Sequence, residues 1–340
     1  MRKSRQLRVV AIGGGTGLST LLRGLKFYVA PAPGTPQLAY AAPETKPPLI
    51  DELAAIVTVT DDGGSSGRLR EDLNMLPPGD IRNCLVALSP DEALISRLFQ
   101  YRFTGGDLQG HSFGNLFLAA LTGITGDFGQ AVQTSSQILA SRGRIYPCTM
   151  ANATISARMD DGSIVHGETN ITASQRSITE LMLTPTDAQA LPEALDAIAS
   201  ADLITIGPGS LYTSLITNLL VRDVPQAIAR SSATRVFICN LMTQANESLG
   251  LTASEHIERI YDHTRQPIFD YALINTAPIP EAARARYAAE GAEVIVADIK
   301  KIEAMGIRCI TGDFADVGDV VRHASNRVAD ALLQIPLRDR

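Results

Sequence analysis

The chain reads as an α/β protein built on a three-layer, doubly wound, mostly parallel Rossmann-like sheet with one antiparallel hairpin excursion. Short β-branched apolar runs, Val9 to Ile12, Leu53 to Thr60 and Leu203 to Ile206, each empty into a glycine-rich turn. Apolar residues at helical spacing follow those turns, and such alternation packs helices on both faces of a parallel sheet. One stretch breaks the pattern: residues 145–172 alternate around Asp160-Asp161-Gly162, a hairpin signal rather than a crossover.

Taken in order, Val9 to Ile12 closes on Gly13-Gly14-Gly15-Thr16-Gly17, after which Leu18, Leu21, Leu22 and Leu25 fall on one helix face. Residues 29–48, rich in Pro and Ala, read as a surface loop insertion. The second strand runs into Asp61-Asp62-Gly63-Gly64-Ser65-Ser66-Gly67-Arg68, and Asp80 is placed to N-cap a helix over Ile81 to Leu88. Gly110-His111-Ser112-Phe113-Gly114-Asn115 opens the apolar helix Leu116 to Leu121. Gly207-Pro208-Gly209-Ser210 precedes a helix through Leu211, Leu215 and Leu219. Three more strands are expected: Arg235 to Cys239 ending at Asn240, Tyr271 to Ile274, and Glu293 to Ala297. The expected organisation is a single domain over 1–340.

At 340 residues and 45% hydrophobic content the chain can bury a substantial core. A formal net charge of -6, no Trp and 5% aromatics argue against nucleic acid as a partner. Cys84, Cys148, Cys239 and Cys309 form no C-x-x-C pair, so neither a disulfide framework nor a thiolate zinc site is suggested, and a reducing cytoplasm is the expected location. No stretch is long enough to span a bilayer.

In doubly wound sheets ligands sit outside the carboxyl ends of the strands, where these turns fall. Gly13 to Gly17 can wrap phosphate oxygens at a helix N-terminus, or it can be a bare strand-to-helix turn. It matches neither standard fingerprint, because Thr20 stands where a dinucleotide fold has glycine and no Gly-Lys-Ser or Gly-Lys-Thr follows. A nicotinamide dehydrogenase is thereby disfavoured. The paired carboxylates Asp61 and Asp62 suit Mg²⁺ or ribose hydroxyls, with Gly63, Gly64, Ser65, Ser66, Arg68 and Arg70 beside them for diphosphate oxygens. His111 with Asn115 is a candidate for phosphate or sugar, although a histidine near a helix start more often serves the fold. Ser210 either contacts ligand or N-caps its helix.

Read together, GGGTGLSTLLRGLK, TDDGGSSGRLR, PPGDIRNCL, GHSFGNL, ADLITIGPGSLYTSL and NLMTQ closely resemble the gluconeogenesis factor (YvcK) family. That family is a branch of the superfamily that includes the 2-phospho-L-lactate transferase of deazaflavin cofactor synthesis. The resemblance implies a cytoplasmic protein that binds UDP-sugars and bears on cell shape and growth on gluconeogenic carbon, with self-association and a cell-wall or carbon-metabolism protein as expected partners. It implies a cleft lined by Gly13 to Gly17, Asp61 to Arg68, Asp80, Arg82, His111, Asn115, Gly207 to Ser210 and Asn240. Tyr287 and Arg322 would take the uridine or sugar end. If the chain is instead a transferase, Asp61 and Asp62 are the catalytic candidates, with Asp62 on Mg²⁺. The chain departs from the family at 29–48, at Thr217 where a proline is usual, and at Ala245-Asn246-Glu247-Ser248 in place of Pro-Gly-Glu-Thr.

Overall fold

The computed structural model describes residues 6–30, 49–90 and 92–338. The expected insertion at 29–48 therefore lies almost wholly outside the described residues. Val29 is described and bridges to Ile50.

Seven parallel strands form the central sheet: β1 (Leu7–Gly13), β2 (Ile50–Val57) and β3 (Arg144–Pro147) on one side, then β7 (Leu203–Ile206), β8 (Thr234–Ile238), β9 (Tyr271–Asn275) and β10 (Arg308–Gly312). A second, antiparallel sheet comprises β4 (Thr154–Met159), β5 (Ile164–His166) and β6 (Ile178–Thr184), and a small hairpin pairs β11 (Ala315–Val317) with β12 (Val321–His323). The main order is β10-β9-β8-β7-β1-β2-β3, so chain progression runs outward from β1 in both directions. The switch point lies between β1 and β7, the position at which such sheets open a crevice.

Alternate residues of β1 serve different cores, as the two-residue period of a strand requires. Val10 and Ile12 join one apolar cluster, and Leu7, Val9 and Ala11 join the other. The second cluster is closed by α1 (Gly15–Leu25), α3 (Gly79–Leu88), α5 (Phe113–Thr125), α6 (Phe128–Ile138) and the last helix, Ser325–Arg338. Three further helices of this half of the chain are α2 (Gly64–Leu73), α4 (Glu92–Gln100) and α7 (Glu168–Ala173). Leu18, Leu21, Leu22 and Leu25 are all fully buried.

Two strand assignments differ from expectation. Glu293 to Ala297 makes no strand of the sheet, and only Val294 bridges Met242. The last parallel strand is β10, whose half-exposed edge position needs no continuous apolar run; Arg308 lies 4.0 Å over the Tyr271 ring beside it. The 145–172 excursion is real, but Arg144–Pro147 belongs to the parallel sheet and the antiparallel part begins at Thr154. Its hairpin turns where Asp160-Asp161-Gly162 predicts, and Gly162 has φ +85°.

Candidate functional site

Because β1 and β7 are neighbours, the turns that follow them lie side by side. A Cβ on Gly17 would stand 2.3 Å from the Pro208 carbonyl oxygen, so only glycine permits this approach. Asn240, just past β8, closes the 207–210 turn with both ends of its amide: Gly209 N donates to Oδ1 at 3.1 Å and Nδ2 donates to the Gly209 carbonyl at 2.7 Å. Asn218 Nδ2 donates to the Gly13 carbonyl at 3.0 Å, tying the first turn to the same unit.

The 207–210 turn is not an open anion cradle. Glu247 Oε1 accepts from Tyr212 N and Thr213 N at 2.9 Å each, taking the amides a phosphate would use. Ser210 makes no side-chain cap, and its Oγ accepts from Gln244 Nε2 at 2.9 Å. The expected helix begins as a π-turn over Leu211–Ile216 before Thr217–Leu220 continues it. Thr217, one of the departures from the family pattern, donates both its amide and its hydroxyl to the Tyr212 carbonyl.

Asp80 does not cap its own helix, which starts at Gly79 with Pro78 in the cap position. Its carboxylate reaches across to the first turn, accepts from the Gly15 amide and lies where a Cβ on Gly14 would meet Oδ2 at 2.7 Å. Burial, with Asp61 adding repulsion, pushes its pKa up to about 6. Thr16 is exposed on the first turn of α1.

The N-terminus of α2 remains for an anion. Gly63 is the cap residue with no side-chain cap, no acid lies in the first turn, and Gly64 has φ +48°. Asp61 Oδ1 accepts from Gly63 N at 2.9 Å, one residue before the first turn of the helix. Ser65 and Ser66 are buried beside them. Asn115 Nδ2 donates to Ser65 Oγ at 3.1 Å, and the Ser65 hydroxyl shares a hydrogen bond with His111 Nδ1 at 3.0 Å. Burial and the nearby Arg68 cation lower the His111 pKa. Arg82 donates through Nη1 to Ser112 Oγ at 2.7 Å and to Asn115 Oδ1 at 3.1 Å, while its buried Nε has no partner. Ser112 caps α5 by accepting from Asn115 N, so the helix opens at Phe113 rather than Leu116. Arg68 donates to the Gln109 carbonyl on the 101–112 hairpin, and Arg70 donates to the Ala153 carbonyl.

Asp62 is committed to the second sheet layer. Its Oδ1 accepts from Thr169 N at 2.9 Å and Thr169 Oγ1 at 2.7 Å, holding the start of α7. That contact brings in Glu168, which no sequence motif marked. Its pKa is pushed up to about 9 by burial and by Asp61, Asp80, Glu247 and Asp62 around it. Glu168 escapes a linear reading because the pairing of β4 with β6, not local spacing, brings it to the cleft, whereas Gln244 in the NLMTQ motif and Glu247 in the 245–248 departure are legible as residues but not in their hydrogen-bond roles. Among the described residues, no group of three or more His, Cys, Asp or Glu side chains is disposed to hold a metal ion.

Tyr287 and Arg322 lie on the carboxyl-end side but in a separate small cluster. The Tyr287 ring packs with Leu241, Met242 and Val321, and its hydroxyl accepts from Val321 N at 3.0 Å. Arg322 is exposed on β12, whose neighbour His323 donates through Nε2 to the Cys239 carbonyl at 3.0 Å. That bond hangs the hairpin one residue from Asn240.

A family model described as 2-phospho-L-lactate transferase CofD matches residues 9–315. Curated relatives resolve the branch: the gluconeogenesis factor of Halalkalibacterium halodurans is 45% identical, with 97% of both chains covered. The chain belongs to the gluconeogenesis factor family. The Bacillus subtilis gluconeogenesis factor is 44% identical, with 96% of this chain and 98% of its own covered. A crystal structure of a member of the UPF0052 family from Bacillus halodurans is similar at a TM-score of 0.88 and 45% identity, covering 97% of this chain and 99% of its own. Asn246 has φ +66°, the left-handed conformation a glycine would adopt, and its side chain ties to the Thr172 carbonyl. Glu247 accepts from the Tyr212 and Thr213 amides.

Proposed function

We propose that the cleft binds a nucleotide-sugar, a UDP-sugar such as UDP-N-acetylglucosamine, and that the protein acts in the cytoplasm as a regulatory protein linking this metabolite to cell shape and carbon metabolism. One observation carries this reading: the cleft has two chemically opposite poles. The uncapped N-terminus of α2, with Arg82 and His111, offers donors to a diphosphate. Asp61 and Asp80 beside it offer acceptors to hydroxyls of ribose or sugar, and Glu168, which keeps its proton at neutral pH, can both donate and accept there. A bare phosphate would use one pole only; a nucleotide-sugar uses both. The glycines of the first turn and Gly207, Gly209 and Asn240 shape the floor. Tyr287 and Arg322, in their separate cluster, are proposed for the uridine or sugar end on the family resemblance alone. The reading requires no metal, and a regulated protein of the cell wall or of carbon metabolism is the proposed partner.

Ligand at about a hundredfold above its dissociation constant should add roughly 2.7 kcal/mol. For a chain of this length that is a melting shift of about 4 °C. Titration with UDP-N-acetylglucosamine, UDP-glucose, UDP and a GDP-sugar control tests it. Absence of a shift with every uridine diphosphate sugar would remove the reading.

The match to the transferase family supports a second reading, in which a phospho-acid passes from a nucleotide diphosphate donor to a deazaflavin-type alcohol. There Asp61 would act at the reacting centre and Asp62 would position it through α7. Release of GMP from lactyl-diphosphoguanosine, dependent on the deazaflavin acceptor and lost in Asp62→Ala, would favour this reading over simple binding.

A further inference from the structure

We propose that residues 109–112, which hold the guanidiniums of Arg68, Arg82 and Arg102, form a second anion subsite that favours a nucleotide-sugar whose sugar carries a carboxylate over its neutral counterpart. The proposal deepens the nucleotide-sugar reading and rests on it.

The 109–112 segment is the returning arm of the 101–112 hairpin: Gly110 N donates to the Phe103 carbonyl at 2.8 Å, and Phe103 N donates to the His111 carbonyl at 3.0 Å. Cations from three different places in the chain end on it. Arg68, on α2, donates to the Gln109 carbonyl at 2.8 Å; Arg102, on the outgoing arm, donates to the Gly110 carbonyl at 2.9 Å; Arg82, on α3, donates to Ser112 Oγ at 2.7 Å. Four residues of chain span at most about 14 Å, so the three anchor points share one patch. His111 lies among them and is bonded to Ser65 in the first turn of α2, which fixes the segment beside the uncapped helix N-terminus. The crowding of charge is felt within the patch: burial and Arg102 lower the Arg82 pKa, as burial and Arg68 lower that of His111.

The protein leaves this charge largely unanswered. The chain has a net charge of -6 and pairs other arginines directly, such as Arg235 with Asp270 and Arg158 with Glu180, yet among the described residues none of these three makes an ion pair. Asp61 and Asp80 act on Arg82 from a distance, and Asp72 acts on His111. Arg68 and Arg102 are exposed and bond only backbone carbonyls, so most of the five N–H donors on each guanidinium remain for a ligand. The diphosphate of a nucleotide-sugar is answered by the α2 N-terminus, Arg82 and His111, and Arg68 and Arg102 supply positive charge beyond it. Uracil and ribose carry no negative charge, so a third anionic group belongs on the sugar. Guanidinium forks match the planar oxygens of a carboxylate there.

Calorimetric titration of the full chain with UDP-glucuronate, UDP-glucose and UTP at low ionic strength tests the assignment. UDP-glucuronate should bind roughly 10-fold more tightly than UDP-glucose, the gain expected of charge-assisted hydrogen bonds at an exposed site. That ratio should shrink as salt is raised, because exposed charges are screened. In Arg68→Gln with Arg102→Gln the ratio of the two dissociation constants should fall to within about 2-fold. A ratio is insensitive to a general loss of affinity, and the wild-type comparison needs no variant to fold. Equal binding of the two sugars by the wild type, or a preference that survives the double substitution, would overturn this proposal while leaving nucleotide-sugar binding in place. UTP binding more tightly than UDP-glucuronate would overturn it by giving the arginines to a terminal phosphate. Silence from every uridine nucleotide would remove the nucleotide-sugar reading together with it, so the two failures are told apart.

Discussion

Gly17 has room for a hydrogen atom and little else, because the Pro208 carbonyl occupies the direction of a side chain. Gly17→Ala forces two strand-end turns apart and should cost about 1–3 kcal/mol in urea unfolding; a neutral result would mean the turns are not in contact. Two titrating groups at the carboxyl ends act in opposite directions. The Asp80 pKa in the folded state, about 6, lies above its ordinary 3.8. The native state therefore holds that proton more tightly, and the stability it contributes is full below the unfolded value and lost as pH rises through 6. Asp80→Asn should flatten the stability profile between those two values. Burial lowers the His323 pKa from 6.5 to about 4, so its contribution is full above 6.5 and lost as pH falls through 4. At about 1.4 kcal/mol per unit this amounts to about 3 kcal/mol. His323→Gln should remove that acid limb in denaturant titrations at pH 7 and pH 4. The glycines, the Asp61-Asp62 pair and the serines of the cleft were legible as residues; Glu168 was not, because an isolated Glu-Thr-Asn carries no spacing that reveals four carboxylates around it.

The loops at the carboxyl ends owe their shape to side chains from other elements. Asn240 spends its whole amide on Gly209, and Glu247 spends an oxygen on two amides of the next turn. Asn240→Ala should cost about 2–3 kcal/mol, since two hydrogen bonds vanish and a backbone carbonyl is left short of a donor. Calorimetric unfolding within about 0.5 kcal/mol of the wild type would show that the lock is redundant. The turn at 245–248 predicts a contrast: Asn246→Gly should be nearly neutral, whereas Asn246→Ala should lose about 1 kcal/mol to the left-handed backbone. At this scale periodicity located the strand-turn-helix units and the Asp160-Asp161-Gly162 hairpin. It missed β10 and promoted 293–297, because a half-exposed edge strand lacks the apolar run that the 293–297 segment possesses.

Across the whole molecule the strand order places the turns after β1, β2 and β7 on three adjacent strands. A ligand in the crevice should therefore slow hydrogen exchange at 13–17, 63–68 and 207–213 together when UDP-N-acetylglucosamine is added. Protection confined to one of these segments would place the ligand elsewhere. The sequence by itself determined the α/β class, the family and the set of glycine and acidic turns, because strand and helix periods and turn chemistry are local properties of the chain. Only the tertiary structure decided which helix N-termini remain open. Asp80, Glu247 and Asp62 reach the starts of α1, the π-turn and α7 from distant positions, and whether a distant carboxylate occupies an amide is a property of packing, not of neighbouring residues.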